Sequence, residues 1–142
     1  MSESILIDAI EQTRTFNQPI ARVWAAISDP KQVAQWFGER AEYQLVAGSI
    51  GYFEWVNTDC AGKYAMRVEK VQAPNYFAWR WMNDTNVPFE INGSTLVEFI
   101  LTEEGESTEL LVRETGFASQ KHWQMNTQGW QNELAELVAW LS

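Results

Sequence analysis

The end of the chain carries one continuous apolar stripe with helical spacing. Its members follow one another at intervals of 4, 3, 4, 3 and 4 residues, and they are Trp123, Thr127, Trp130, Leu134, Leu137 and Leu141. This period predicts one amphipathic helix from about Ser119 to Leu141. Because such a helix has a single apolar face, the rest of the chain must supply a surface that covers it.

The preceding residues predict that surface. A strand is expected over 8–16, followed by two short helices, the first from Pro19 and the second from Asp29-Pro30 through Trp36 to Gly38. Apolar residues then alternate, which predicts strands over 43–46, 50–56, 64–71, 76–82, 95–102 and 108–115. The expected fold is α+β, with a curved antiparallel sheet of about six or seven strands wrapped round the long C-terminal helix in one domain, residues 1–142.

A strongly curved sheet cannot touch a straight helix everywhere, so we expect a gap near one end of the helix where a ligand can bind. Nineteen aromatic residues (eight Trp, seven Phe and four Tyr) are enough to fill a core and also to line such a gap. Gly129 is a poor interior helix residue, and we expect close approach to another backbone as its reason.

Composition excludes several classes of protein. The chain has 142 residues and a net charge of −9, which argues against a nucleic-acid partner because phosphate would be repelled. Its apolar stretches are far shorter than the about 20 residues of a membrane span, and residues 1–4 lack a secretory pattern. We therefore expect a cytoplasmic protein with no membrane insertion.

Cysteine and histidine usage excludes further classes of site. A single cysteine (Cys60) and a single histidine (His122) cannot form an internal disulfide or a zinc site of the usual kind. Asp59 precedes Cys60 and disfavours the thiolate, so a cysteine nucleophile is not expected. Phosphate-binding loops and a nucleophile elbow are also absent from the sequence. We expect neither a metal nor a cofactor.

Polar candidates lie on the last strand and the long helix. Strand alternation points Glu114 inward if its apolar neighbours point inward, although the end of a strand in water is an equally good interpretation. His122, Asn126 and Glu133 share one flank of the helical stripe, where they could orient a ligand or relay a proton at the mouth of a groove, although a solvated helix edge is the simpler interpretation. If the protein is an enzyme, His122 and Glu114 are the catalytic candidates, with Tyr64 and Asn126 beside them.

The predicted ligand-binding residues share the concave face of the sheet, the second helix, one loop or the helical stripe. They are Trp36, Phe37, Phe53, Trp55, Tyr64, Met66, Trp79, Trp81, Phe89, Phe99, Trp123, Asn126, Thr127 and Trp130. By the same alternation Arg67 and Arg80 belong to the opposite, solvent-facing side; a register shift of one residue would instead place an arginine in the cavity.

The order and spacing of several short motifs carry a family resemblance. These motifs are Pro19–Trp24, Ser28-Asp29-Pro30, Trp36, Gly48, Gly51, Gly62, Pro74, Phe77, Trp81, Thr108-Glu109-Leu110, Gly116-Phe117, Gly129-Trp130, Leu134 and Leu137. From Thr13 to Leu141 the chain resembles the START-like (SRPBCC, helix-grip, Bet v 1-like) superfamily. Within it, the chain is similar to the group related to the activator of heat-shock protein 90 ATPase.

The resemblance implies a helix-grip fold and binding of a hydrophobic or amphipathic small molecule between sheet and helix. Two alternatives remain open, a polyketide cyclase- or hydratase-like enzyme using the same cavity and an adaptor that binds a chaperone or another protein through the outer sheet face. A homodimer and a link to the stress response are also compatible. The heat-shock activators carry their stimulatory motif in a separate N-terminal domain, so stimulation of a chaperone ATPase is not expected here.

Overall fold

The computed structural model describes residues 9–58 and 61–142, and within them seven strands form one antiparallel sheet. The strands are β1 (Ile10–Phe16), β2 (Arg40–Glu42), β3 (Ile50–Trp55), β4 (Gly62–Gln72), β5 (Tyr76–Met82), β6 (Ser94–Glu104) and β7 (Ser107–Thr115). The helices are α1 (Ile20–Ser28), α2 (Pro30–Val33) and α3 (Gln120–Trp140). The spatial order of the strands is β1-β7-β6-β5-β4-β3-β2. This is the helix-grip α+β fold expected from the sequence.

The core lies between the inner face of the sheet and the three helices. Phe77, Trp79 and Trp81 alternate along β5 and are all buried, as the period-two pattern predicts. The second half of α3 buries Trp130, Leu134 and Leu137. The apolar stripe of α3 therefore anchors the helix mainly through its C-terminal half.

Both short helices begin close to the predicted positions, and α1 also ends where expected, but α2 is shorter than predicted. The side chain of Asp29 accepts a hydrogen bond from the backbone N–H of Lys31 and caps α2. The helix ends at Val33 instead of continuing through Trp36. Trp36 lies in the following turn, where its indole N–H donates to the carbonyl of Ala26 at 2.8 Å. Burial of this ring turns the chain away from the helix axis.

The strand predicted over 43–46 is wrong. Tyr43 turns inward and donates its hydroxyl to the carbonyl of Ser28 at 2.6 Å, and the backbone N–H of Gln44 donates to the side chain of Ser49. The strand that pairs with β3 is instead the short β2 just before this segment. The two backbones approach so closely there that a Cβ on Gly51 would lie 1.8 Å from the carbonyl oxygen of Glu42.

The remaining boundaries shift by a few residues. β4, β6 and β7 begin one or two residues earlier than predicted, and β4 has an irregular register between Val68 and Lys70. Ser119 is the N-cap of α3, and its side chain accepts from the backbone N–H of His122. The predicted start of β1 at Asp8 and the interpretation of Cys60 fall on residues outside the described part of the chain.

The outer face of the sheet carries several ion pairs. Glu69 forms ion pairs with Arg67 at 2.6 Å and Arg80 at 3.7 Å, and Arg113 forms ion pairs with Glu11 at 2.8 Å and Glu98 at 3.8 Å. Arg67 and Arg80 thus lie on the solvent-facing side of the sheet, as strand alternation predicts. No helix in the described part of the chain is long and apolar enough to cross a membrane.

Candidate functional site

The sheet and the first half of α3 leave a cavity of about 230 Å³ between them. The lining combines aromatic, amide and titratable side chains, namely Phe37, Trp55, Thr58, Tyr64, Trp81, Met82, Asn83, His122, Met125, Asn126, Gly129, Trp130, Asn132 and Glu133. The cavity lies beside one end of the helix, where the mismatch between a curved sheet and a straight helix predicts a gap.

The aromatic part of the wall is built around Phe37. Its ring centroid lies 5.0 Å from that of Trp55, 5.3 Å from that of Trp81 and 5.2 Å from that of Trp130, with which it stacks. Tyr64 continues the wall at 5.3 Å from Trp55 and 5.7 Å from Trp81. Aromatic side chains have few rotatable bonds, and these contacts restrict them further, so the wall is preorganised.

A fully buried carboxylate, Glu114 on β7, lies directly behind this wall. Its Oε2 accepts hydrogen bonds from the indole N–H of Trp81 at 2.8 Å and from the hydroxyl of Thr95 at 2.5 Å. Its Oε1 accepts from the indole N–H of Trp130 at 2.8 Å. The amide Nδ2 of Asn126 lies 3.2 and 3.1 Å from the two oxygens. Of the two interpretations that the sequence leaves open for Glu114, the structure therefore has the inward orientation.

Strand register and helical spacing bring these donors together. Trp81 and Thr95 are directly opposite each other on β5 and β6 and point to the same face of the sheet. Asn126 and Trp130 are four residues apart and share one face of α3. Glu114 is the last inward-facing residue of β7, and it lies where the donors of the sheet and the donors of α3 meet.

The hydrogen bonds fit an ionised carboxylate. The hydroxyl of Thr95 accepts from Asn83 Nδ2 at 3.0 Å, so its own proton is free to donate to Glu114. Asn83 also accepts from Asn126 at 2.9 Å, which orients that amide. Burial raises the pKa of the Glu114 carboxyl, and the donors offset part of this rise. Glu114 is absent from the cavity lining, so it positions wall residues instead of contacting a ligand directly.

A second carboxylate, Glu133, lies on the cavity surface itself. Burial raises its pKa from 4.5 to about 7, and the neighbouring carboxylates of Glu136 and Glu39 contribute to the rise. Hydrogen bonding with the Gly38 backbone and the Trp55 side chain lowers the pKa in part. A carboxyl group with this pKa exchanges protons readily near neutral pH.

His122 lies at the other end of the polar flank. Its Nδ1 lies 3.2 Å from the hydroxyl of Ser119, and its Nε2 lies 3.4 Å from a carboxylate oxygen of Asp84. The aspartate belongs to the loop between β5 and β6, so this contact links the first turn of α3 to the sheet. His122, Asn126 and Glu133 all line the cavity, so the simpler interpretation of their shared flank as a solvated helix edge does not hold.

The structure divides the predicted ligand-binding residues into two groups. Those that line the cavity are Phe37, Trp55, Tyr64, Trp81, Asn126 and Trp130, and His122 joins them from the catalytic candidates. Those that lie away from it are Trp36, Phe53, Met66, Trp79, Phe89, Phe99, Trp123 and Thr127. Facing the concave side of the sheet therefore does not by itself place a side chain at this cavity, and ligand binding by the residues of either group stays a prediction.

The residues of the second group have other roles in packing. Trp36, Phe53, Met66, Trp79 and Phe99 are buried core residues. The guanidinium carbon of Arg67 lies over Phe89, at 4.9 Å from the centroid of the phenyl ring. Trp123 and Thr127 face β1, where the carbonyl of Thr127 accepts a hydrogen bond from the Gln12 side chain at 3.3 Å.

Sequence reasoning did not place Glu133, Asn83, Met125 or Gly129 among the ligand-binding residues. The helical spacing of Glu133 from Asn126 is a usable signal, whereas Asn83 lies beyond the end of a strand and carries none. The explanation expected for Gly129 is wrong, because a Cβ added there would meet nothing within 4 Å. Gly129 instead lines the cavity and leaves its space open. No group of three His, Cys, Asp or Glu side chains suited to a metal ion occurs within residues 9–58 and 61–142.

The sequence model of the family described as Activator of Hsp90 ATPase homolog 1-like protein matches residues 17–142. The chain belongs to this family. A search of curated proteins finds no match. The family membership and the fold agree with the resemblance inferred from the motifs between Thr13 and Leu141.

Solved structures of the same fold have low sequence identity to the chain. CalU16 from Micromonospora echinospora has a TM-score of 0.76 and 22% identity, over 94% of this chain and 76% of that one. DynU16, a protein in the dynemicin biosynthetic locus, has a TM-score of 0.78 and 23% identity, over 95% of this chain and 47% of that one. The Aha1 dimer from Colwellia psychrerythraea has a TM-score of 0.77 and 15% identity, over 95% and 96%. These likenesses concern the fold.

Proposed function

We propose that this protein binds a small amphipathic molecule in the cavity between the sheet and the first half of α3. The observation that carries the proposal is a preorganised aromatic wall next to a row of amide and titratable side chains on α3. Apolar walls supply affinity, and a few fixed polar groups supply orientation, which is the usual composition of a small-molecule site. The family and the neighbour from a biosynthetic locus are compatible with this function.

Gly129 offers a direct test, because a side chain added there projects into the cavity without removing any wall residue. The wild type is screened by ligand-observed NMR against small neutral, cationic and anionic aromatic and alkyl compounds. We expect binders whose signals disappear with Gly129→Leu. Ala135→Leu is the matched control, because it adds the same side chain at an exposed position of the same helix.

The proposal fails if no compound binds the wild type, or if Gly129→Leu binds as well as Ala135→Leu. A native mass spectrum of freshly purified protein, compared with a denatured spectrum of the same sample, adds an independent readout. A non-covalent mass that is present in the wild type and missing from Gly129→Leu supports occupation of the cavity.

Proton-transfer catalysis in the same cavity is the second candidate function. It is favoured by one observation, the carboxyl of Glu133 with a pKa of about 7 in the same lining as His122. A catalytic role predicts that Glu133→Gln and His122→Ala abolish turnover of a bound compound while it still binds. Equal turnover in the two variants and the wild type would exclude this mechanism.

A further inference from the structure

Resting on the proposed function, we propose a ligand class for this cavity: a small organic cation, with an ammonium group carried on an apolar body. Three features favour such a ligand: the charges that face the cavity, the rings that line it and the lack of a free acceptor on Glu114.

The charges around the cavity are negative. Among the described residues that line it, none is Lys or Arg, and Glu133 is a carboxylate on its surface. Glu114 lies one side chain behind the wall, and all of its hydrogen-bond donors are neutral groups. The imidazole of His122 lies beside the carboxylate of Asp84, which compensates a positive charge on the ring. A whole-chain charge of −9 adds to the same field.

The rings add a second attraction for a cation. An ammonium group over the face of an indole, phenol or phenyl ring is stabilised by the electrons of the ring. The indole N–H groups of Trp81 and Trp130 both donate to the carboxylate of Glu114, which polarises these rings and makes their faces more negative. The buried carboxylate therefore acts on the ligand through the two indoles as well as through space.

The described Lys and Arg side chains make their cation–π contacts elsewhere in the molecule. The described cation–π contacts involve the rings of Tyr52, Phe89, Tyr76 and Trp140. None of these rings lines the cavity. An external cation would thus meet aromatic faces that no described Lys or Arg side chain occupies.

Ligands of other charge fit less well. An anion would face Glu133 and Glu114 without a described Lys or Arg to offset them. A neutral hydrogen-bond donor gains little from Glu114, because its two oxygens already accept from four side chains and lie behind the wall. A cation needs no free lone pair, since the field and the ring faces act without one.

The test compares two ligands that have the same shape and differ in charge. Choline and its uncharged carbon analogue 3,3-dimethylbutan-1-ol are titrated into the wild-type protein at pH 8 and low salt, with NMR shift changes as the readout. We expect choline to bind about tenfold more tightly than the alcohol, which is the size of one favourable cation–π and charge contribution. Gly129→Leu should abolish the binding of both.

A variant that lacks one carboxylate tests whether the preference for a cation arises in this cavity. Glu133→Gln should weaken choline binding about threefold to tenfold and leave the binding of the alcohol unchanged. Glu103→Gln is the matched control, because it removes the same charge at an exposed position. Glu103 lies near the end of β6, whereas Thr95, which contacts Glu114, lies near its beginning. Equal loss in the two variants would assign the effect to net charge and contradict a local site.

The remaining outcomes separate the two proposals. If the alcohol or an anionic compound binds as tightly as choline and Gly129→Leu blocks it, the cavity binds ligands but the cation inference is wrong. If choline does not bind, the inference is also wrong. If no compound of any charge binds in a manner sensitive to Gly129→Leu, both proposals fail.

Discussion

Glu114 carries a conflict between burial and hydrogen bonding. Its side chain has no exposed surface, and an ionised carboxylate in such a place is costly unless its lone pairs are satisfied. Trp81, Thr95, Asn126 and Trp130 supply the required hydrogen bonds from three different elements. The residue thus joins β5, β6 and α3 at a point where few apolar contacts hold the first half of α3.

Replacing Glu114 by glutamine should destabilise the protein strongly. One oxygen becomes an NH₂ group that faces indole and amide donors, so buried donors lose their acceptor. We expect a loss of about 3 kcal/mol in the free energy of unfolding, measured by urea denaturation at pH 7. Glu109→Gln, on the opposite face of β7, is the control. An equal effect in the two variants would contradict the role assigned to the network.

Glu133 should lower the free energy of unfolding as pH rises, whereas a carboxylate paired with a cation raises it. Its pKa in the folded protein is about 7, above its ordinary value of 4.5. Between pH 4.5 and 7 the unfolded chain loses this proton while the folded protein keeps it, so stability falls as pH rises. The carboxylates of Glu39 and Glu136 face the group, and His122 and Glu114 belong to the same cavity region.

The variant Glu133→Gln isolates this contribution. We expect it to be more stable than the wild type at pH 8 by on the order of 1 kcal/mol, less than full linkage because the group is partly exposed to water. The difference should disappear as pH falls to 4.5. Urea denaturation across this pH range measures it, and a variant that is less stable at pH 8 would contradict the raised pKa.

The helix α3 combines two halves with different surroundings. Its fully buried residues begin at Trp130, whereas the first half borders the cavity and contacts the rest of the fold through polar side chains and the half-buried Trp123. Gly129 stands between the two halves, and its missing side chain leaves open space. The element is thus both a core helix and one wall of the candidate site.

Adding one methyl group at this position should stabilise the helix. Gly129→Ala introduces a Cβ that meets no atom within 4 Å and removes the backbone freedom of glycine. We expect a gain of about 1 kcal/mol, or about 4 °C in Tm, measured by circular dichroism. A lower Tm would mean that the space beside Gly129 is not open.

Local patterns predicted the elements better than the site. Alternation placed Trp81 and Glu114 on the inner face, and the helical period placed His122 and Asn126 on one flank. The convergence of Thr95 on Glu114 depends on strand register, which no single segment encodes. The same limit explains why Trp79 was predicted at the site, since alternation gives the face of a sheet but not the distance from its open end.

At the scale of the whole molecule, the sheet order places the first and last segments of the fold together. β1 pairs with β7, and the carbonyl of Leu141 accepts a hydrogen bond from the side chain of Gln18 at 2.8 Å. Contacts between the two ends of a chain favour unfolding as one unit. One domain over residues 1–142 stays a prediction.

Two optical probes test this expectation. Tryptophan fluorescence samples α1, β3, β5 and α3, and far-ultraviolet circular dichroism samples all helices and strands. We expect the two urea unfolding curves to coincide, as they do for a cooperative domain. Separated transitions would indicate that part of the fold unfolds independently.

The unequal anchoring of α3 has a consequence for entry into the cavity. Residues 120–128 are held by the hydrogen bonds of Asn126 with Asn83 and Glu114, by the contact of His122 with Asp84 and by Trp123, which packs against the core only while half-buried, whereas the following turns bury Trp130, Leu134 and Leu137. Polar contacts near water open at lower cost than buried apolar ones. Amide hydrogens of residues 120–128 should therefore exchange with deuterium before those of residues 130–140. A ligand then enters the cavity when the first half of α3 opens, while the second half stays folded.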